Sequence, residues 1–226
     1  MQNVKRNIII ARALVFALGV VSCENYQQTK NPVSDDRDSL FQQERLVKFN
    51  SIVYPRMLQQ VKTGDIITRC GIDLTSDMLR RLNEKDQTYS HIGIASIEND
   101  TVFVYHAIGG EFNPDEKLKR EMLWSFLHPK DNKRGGLFRL PLNPNQLKTL
   151  MNRVHELYVA GMPFDLDFNW QTNDRLYCAE FVVKSLIQAL NDTSYFHHTF
   201  IMGKEGVAVD DVTTNKNVTS LGKWEY

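Results

Sequence analysis

The sequence predicts an α+β fold, an antiparallel sheet built from the middle of the chain and packed against helices from both ends. Three observations carry this. The segment 91–108 reads as one long β-hairpin. Apolar residues recur at three and four positions near 41–61, 144–159 and 175–190, which is helical spacing. Turn and breaker residues (Thr63-Gly64, Asn143-Pro144 and Gly161-Met162-Pro163) separate these stretches.

The chain has 226 residues, 42% hydrophobic and 24% charged, so it can bury one real core without disulfide staples. Lys plus Arg equals Asp plus Glu at 27 each, and no basic stripe stands out. Nucleic acid is therefore excluded as an expected partner.

The first residues carry an address. Lys5 and Arg6 precede an apolar run from Ala13 to Val21, too short to span a bilayer and of the length of a signal-peptide core. Small and aliphatic residues, Val20-Val21-Ser22, stand before Cys23 and resemble a bacterial lipobox, with Arg12 as a blemish. Residues 1–22 are thus expected to be a signal peptide. Lipidation at Cys23 and a polar tether over 23–39 would hold the domain 40–226 at a membrane surface. The competing readings are an uncleaved anchor or a non-lipidated signal.

The elements follow in order. Leu46, Phe49, Val53 and Met57 mark a helix over Phe41 to Val61. Asp65 to Cys70 reads as a strand, and a weak helix follows near Ser76 to Asn83. His91–Ile97 and Thr101–Ile108 are strands joined by Glu98-Asn99-Asp100, apolar on both faces and so central in the sheet. A helix is expected around Pro114 to Leu127, then a strand from Gly136 to Leu142. Asn143-Pro144 opens a helix to about Val159 with Leu147, Leu150, Val154 and Leu157 on one face. The final helix runs from about Arg175 to Leu190, with Asp174 as its expected N-cap, and the tail beyond shows little pattern outside Phe196 to Met202.

Cys178 falls in the first turn of that last helix, where free N–H groups and the helix dipole favour a thiolate. Phe181, Val182, Ser185 and Ala189 share its face, which turns the thiol inward. In the hairpin, Glu98 faces Thr101, so His91 faces Ile108 and His106 faces Gly93. The two imidazoles then emerge on one face as diagonal neighbours, with Gly93 leaving room. Cysteine, histidine and a polar third residue make a nucleophile, base and orienter. Two other assemblies use the same residues: a zinc site of His91, His106 and Cys178, or a Cys70–Cys178 disulfide in an inert module. His155, His197 and His198 are expected on solvated surface. Asp165 and Asp167 read as solvated or capping, and Glu180 as a structural hydrogen bonder.

The order of the motifs "GDIITRC", "SHIGIAS", "VFVYHAIG", "GMPFDLDFNW" and "RLYCAEFV" resembles the permuted papain-like enzymes of the NlpC superfamily, the YiiX/YaeF-like group. The likeness runs from about Thr63 to Leu190. It implies a circularly permuted papain-like fold with Cys178 as nucleophile, His91 as base and His106 as the third polar residue, and with no cofactor or metal. Phe164 stands where many relatives have a tyrosine. The implied activity is a thiol hydrolase of amide bonds at the cell envelope, facing the periplasm or exterior. Cell-wall (peptidoglycan) peptides or small acyl-amines are the implied substrates. Acyl-lipid hydrolysis or transfer, of the lecithin:retinol acyltransferase type, and an envelope binding module without turnover are the alternatives.

Overall fold

The computed structural model describes residues 32–109, 113 and 115–226; the signal-peptide segment and Cys23 lie outside them. Among the described residues eight strands and seven α-helices follow one another. Helix α1 (Pro32–Lys48) continues through one wide π-type turn (Phe49–Val53) into α2 (Tyr54–Gln60). It starts within the segment expected to be tether. Phe49, Val53 and Met57 are buried along it, as the helical spacing requires.

Six strands form one antiparallel sheet in the order β4 (Lys119–Met122), β3 (Thr101–His106), β2 (His91–Glu98), β1 (Ile66–Gly71), β5 (Asn132–Arg139) and β8 (Thr219–Glu225). The β2–β3 hairpin has the register expected, with Glu98 opposite Thr101. Its turn residues Asn99 and Asp100 both have positive φ, 47° and 61°. That is the backbone a two-residue type I′ turn demands, and Asn and Asp tolerate it best after glycine.

Both faces of the sheet are covered. Ile66, Ile92, Ile94, Tyr105 and Phe138 pack against α5 (Pro144–Val159) and α6 (Cys178–Leu190). Ile67, Ala95, Val104 and Leu137 pack on the other side with Phe49, Val53, Met57 and Phe126. Helix α5 begins at an Asn143 cap whose side chain accepts from the Asn145 and Gln146 N–H groups, while Gln146 returns a bond to Asn143. Such a cap is worth about 1 kcal/mol.

Several expectations are corrected. The helix expected over Pro114 to Leu127 is instead strand β4 followed by the single turn α4 (Leu123–Phe126). Lys119-Arg120-Glu121-Met122 has no helical period, and pairing with β3 overrides its local preference. Strand β5 starts at Asn132, four residues earlier than read. Helix α6 begins at Cys178 with Tyr177 at the N-cap, not Asp174, which lies exposed beside Arg175 at 3.7 Å. The tail holds more structure than its pattern showed: hairpin β6 (Thr199–Ile201) and β7 (Lys204–Gly206), the short α7 (Val209–Thr213), and β8. No helix among the described residues is long and apolar enough to cross a membrane.

Candidate active site

Cys178 is the first residue of α6 and is nearly buried, 9% exposed. The side chains expected to share its face (Phe181, Val182, Ser185 and Ala189) are all buried. Glu180 is fully buried and accepts from the Tyr177 N–H at 3.2 Å, closing the helix start, with Lys184 2.8 Å away. Its role is the structural one expected. Asp165, also fully buried, accepts from the N–H groups of Asp167 (2.9 Å) and Asn169 (2.6 Å), which fixes the loop leading to the helix.

The β2–β3 ladder ends at the pair Ile94–Tyr105. His91, Ile92 and Gly93 therefore have no ladder partner on β3. Into this opening the helix delivers the thiol: the backbone N–H groups of Ala179, Ile92 and Cys178 itself point at the sulfur. His91 rises from the other face, where its ring lies against Phe126. The opening is what lets a thiol on the helix side reach the backbone beside that histidine.

The two imidazoles meet as the register requires. His91 Nε2 and His106 Nδ1 are 2.7 Å apart, with the rings nearly perpendicular at 88°. Gly93 makes this possible, because a Cβ there would fall 2.7 Å from the Tyr105 carbonyl and 3.0 Å from His106 Cβ. His106 is fully buried, and its Nε2 lies 2.7 Å from Glu121 Oε1 on β4, out of line with the ring N–H. Val104 pairs with Glu121 and His106 with Lys119, so Glu121 is the diagonal neighbour of His106. Glu121 was not legible in the sequence because its segment read as helix.

This row assigns the protons. The Glu121 carboxylate 2.7 Å away favours the His106 tautomer that carries its proton on Nε2, which leaves His106 Nδ1 as acceptor for the His91 Nε2 proton. The nitrogen left on His91 is Nδ1, with its lone pair free, and it has no hydrogen-bond partner among the described residues. Unliganded sites commonly leave such a base unengaged until substrate closes the geometry.

Electrostatics keep the resting groups neutral. Burial pushes the Cys178 thiol up to about 11, outweighing the backbone N–H groups and Arg69, which act the other way. The thiolate expected from the helix N-terminus is thus overruled by desolvation. Burial, then Arg69, His106 and Lys119, hold His91 well below its ordinary range. Burial holds His106 at about 4 despite Glu121. Burial alone would raise Glu121, but its contact with His106 and the cations nearby keep it below the usual carboxylate range.

Residues 60–225 match the family described as permuted papain-like amidase enzymes, YaeF/YiiX, C92 family. The chain belongs to this family. As a C92-family member it is a cysteine peptidase or amidase with the permuted papain-like fold. A solved structure with the same C92-type fold is that of the metalloprotein YiiX from Escherichia coli O157:H7. It is 21% identical, covers 74% of this chain and 99% of that one, and has a TM-score of 0.60. No curated protein matches.

The competing assemblies fare differently in this C92-family chain. Cys70 and Cys178 are both free thiols, so no bridge joins them. His91 and His106 spend a nitrogen on each other at 2.7 Å, which leaves no room for an ion between those atoms, since zinc–nitrogen bonds are about 2 Å each. Among the described residues no three His, Cys, Asp or Glu side chains converge to hold a metal. His155 is exposed as expected, whereas His197 and His198 each have an acidic partner, and His198 is part-buried. They contact Asp211 and Glu205, each at 2.9 Å. Phe164 packs its ring over Gly109 and offers no hydroxyl.

Proposed function

We propose that Cys178 is the nucleophile of an amide hydrolase, with His91 as its base and His106 and Glu121 holding the base in its reactive tautomer. The observation that carries this is the row Glu121–His106–His91, which ends on a free Nδ1 next to the residue whose N–H touches the sulfur. As Cys178 Sγ attacks the amide carbonyl carbon, its proton passes to His91 Nδ1. The carbonyl oxygen takes the electron pair and is held by N–H groups at the start of α6. Collapse breaks the C–N bond, and the amine leaves with the proton from His91. Water then attacks the thioester, giving its proton to His91, and the acid departs as the thiol re-forms.

The site is thus a neutral thiol and neutral imidazole that exchange a proton only during reaction. The substrates supported best are cell-wall peptides or small acyl-amines. Attachment to the cell envelope through Cys23 belongs to the same proposal and rests on the N-terminal residues alone. Acyl-lipid esters would use the same dyad, and a parallel panel of ester and amide substrates separates the two.

The direct test is alkylation of Cys178 by iodoacetamide, followed by mass spectrometry of the Cys178 peptide. The rate is expected to climb with pH toward about 11 rather than level off near 6. At pH 7.5, His91→Ala should slow it by about tenfold or more. A rate indifferent to His91 would mean that the thiol acts without this base.

Deleting members of the row should also rank them. His91→Ala is expected to cost the most amide turnover. His106→Gln should cost about 10- to 100-fold, and Glu121→Gln less again, because they act only through tautomer and orientation. Should His106→Gln lose more activity than His91→Ala, base and positioning residue have been exchanged.

A further inference from the structure

Strand β1 carries one charge among its apolar residues, Arg69 in Ile66-Ile67-Thr68-Arg69-Cys70. A cation on a central strand is costly unless something answers it. Arg69 pairs directly with His91 across the strands, so both side chains rise from one face. The guanidinium lies over the Phe126 ring, 4.8 Å from its centre. Nη1 donates two long bonds, to Phe126 O at 3.3 Å and Asn132 Oδ1 at 3.4 Å.

Those bonds occupy a single nitrogen. Nε and Nη2 find no acceptor among the described residues, no carboxylate lies within ion-pair distance, and the side chain is only part-buried. The free Nε–Nη2 edge is the side of a guanidinium that grips a carboxylate with two parallel bonds. The charge is within electrostatic reach of Cys178, and Glu121, Tyr226 and Asp131 are its other neighbours.

Left unanswered, this cation favours the Cys178 thiolate but disfavours the protonated base that must form beside it. It opposes a positive charge on His91, as do His106 and Lys119 around the same ring, while Glu121 is engaged with His106. A substrate anion on the open edge would offset that opposition at the moment the base is needed.

We propose that Arg69 is a specificity-determining residue that seats a carboxylate of the substrate beside Cys178, so that the cleft selects acidic amides with the acid group close to the scissile carbonyl. This rests on Cys178 as nucleophile and names the substrate class of that site. Peptide units bearing a free α- or side-chain carboxylate have this chemistry, whereas neutral acyl-amines do not.

The test compares two alkylating agents on the full chain, iodoacetamide and iodoacetate, again read at the Cys178 peptide. Iodoacetate carries a carboxylate on the carbon that the sulfur attacks. The iodoacetate-to-iodoacetamide rate ratio should be about ten- to a hundredfold higher at Cys178 in the folded protein than in the urea-unfolded chain, the equivalent of one charge-assisted interaction. Arg69→Gln should bring the ratio down to the unfolded value, and Arg69→Lys should keep part of it. A folded wild-type ratio equal to that of the unfolded chain overturns the proposal, and needs no variant to fold. So does a raised ratio that survives Arg69→Gln. The His91 dependence of the iodoacetamide rate is read separately. If it holds while the ratio is flat, the dyad stands and the anion seat falls.

Discussion

Replacing Cys178 by alanine is expected to abolish amide turnover, by on the order of 10⁴-fold or more, while leaving the fold almost untouched. A nucleophile that forms the covalent intermediate has no substitute nearby, and residual rates after its loss come only from binding and oxyanion contacts. The other cysteine among the described residues, Cys70, sits on β1 with its Sγ against the Gly71 carbonyl. The stability side of the prediction follows from position. Cys178 starts α6 rather than filling its middle, and it supplies one sulfur atom at the rim of a core made by Phe181, Val182 and Leu186. Its removal should change unfolding free energy by about 1 kcal/mol. Turnover at the wild-type rate in Cys178→Ala would sink the mechanism outright. A large loss of stability along with activity would mean that the thiol is a packing residue.

The hairpin explains why so much of this site was legible in the sequence. Register in a two-residue hairpin is fixed by the turn, and Asn99-Asp100 can hardly form anything else between two apolar runs. From that one inference the diagonal meeting of His91 and His106 follows, and so does the need for Gly93. The helix carrying Cys178 was equally plain, because its apolar face runs unbroken from Phe181 to Ala189.

Glu121 and Arg69 were missed for different reasons. Glu121 lies on a four-residue strand of mostly charged side chains, and nothing local distinguishes that from a solvated helix. Only its pairing with β3 makes it a strand. Arg69 did leave a signal, a lone cation inside a run that reads as a buried strand, but its role needed the neighbour relation with His91. Strand β8 hid likewise, since its alternation is blurred by partial exposure at the sheet's edge and by a shift in register opposite Leu137 and Phe138. The thiol's electrostatics were misjudged for a physical reason. The helix N-terminus was visible in the sequence, whereas the depth of burial that outweighs it is a tertiary property.

The same burial predicts that the protein weakens on mild acidification. His91 and His106 are held below their ordinary range, His106 at about 4, so below about pH 6.5 the unfolded chain takes up protons that the folded one refuses. Their contribution is present above pH 6.5 and is lost as pH falls, at about 1.4 kcal/mol per pH unit for each imidazole. Glu180 works in the opposite sense. Burial raises its carboxyl to about 7 despite Lys184, so it is protonated in the folded state between about pH 4.5 and 7 and ionised in the unfolded one. Its contribution is present at low pH and lost as pH rises through that interval. Two groups against one leave a net loss of stability as pH falls below about 6.5. Below that, carboxylates held low, such as Glu98 and Glu121, add to the fall. Urea unfolding at pH 7, 6 and 5 measures it. Glu180→Gln should steepen the slope, about doubling it, and His106→Gln should flatten it. Equal stability at pH 7 and 5 in both the wild type and Glu180→Gln would mean that the two imidazoles take up protons freely in the folded protein. The neutral relay from Glu121 to His91 would then not be the resting state of the site.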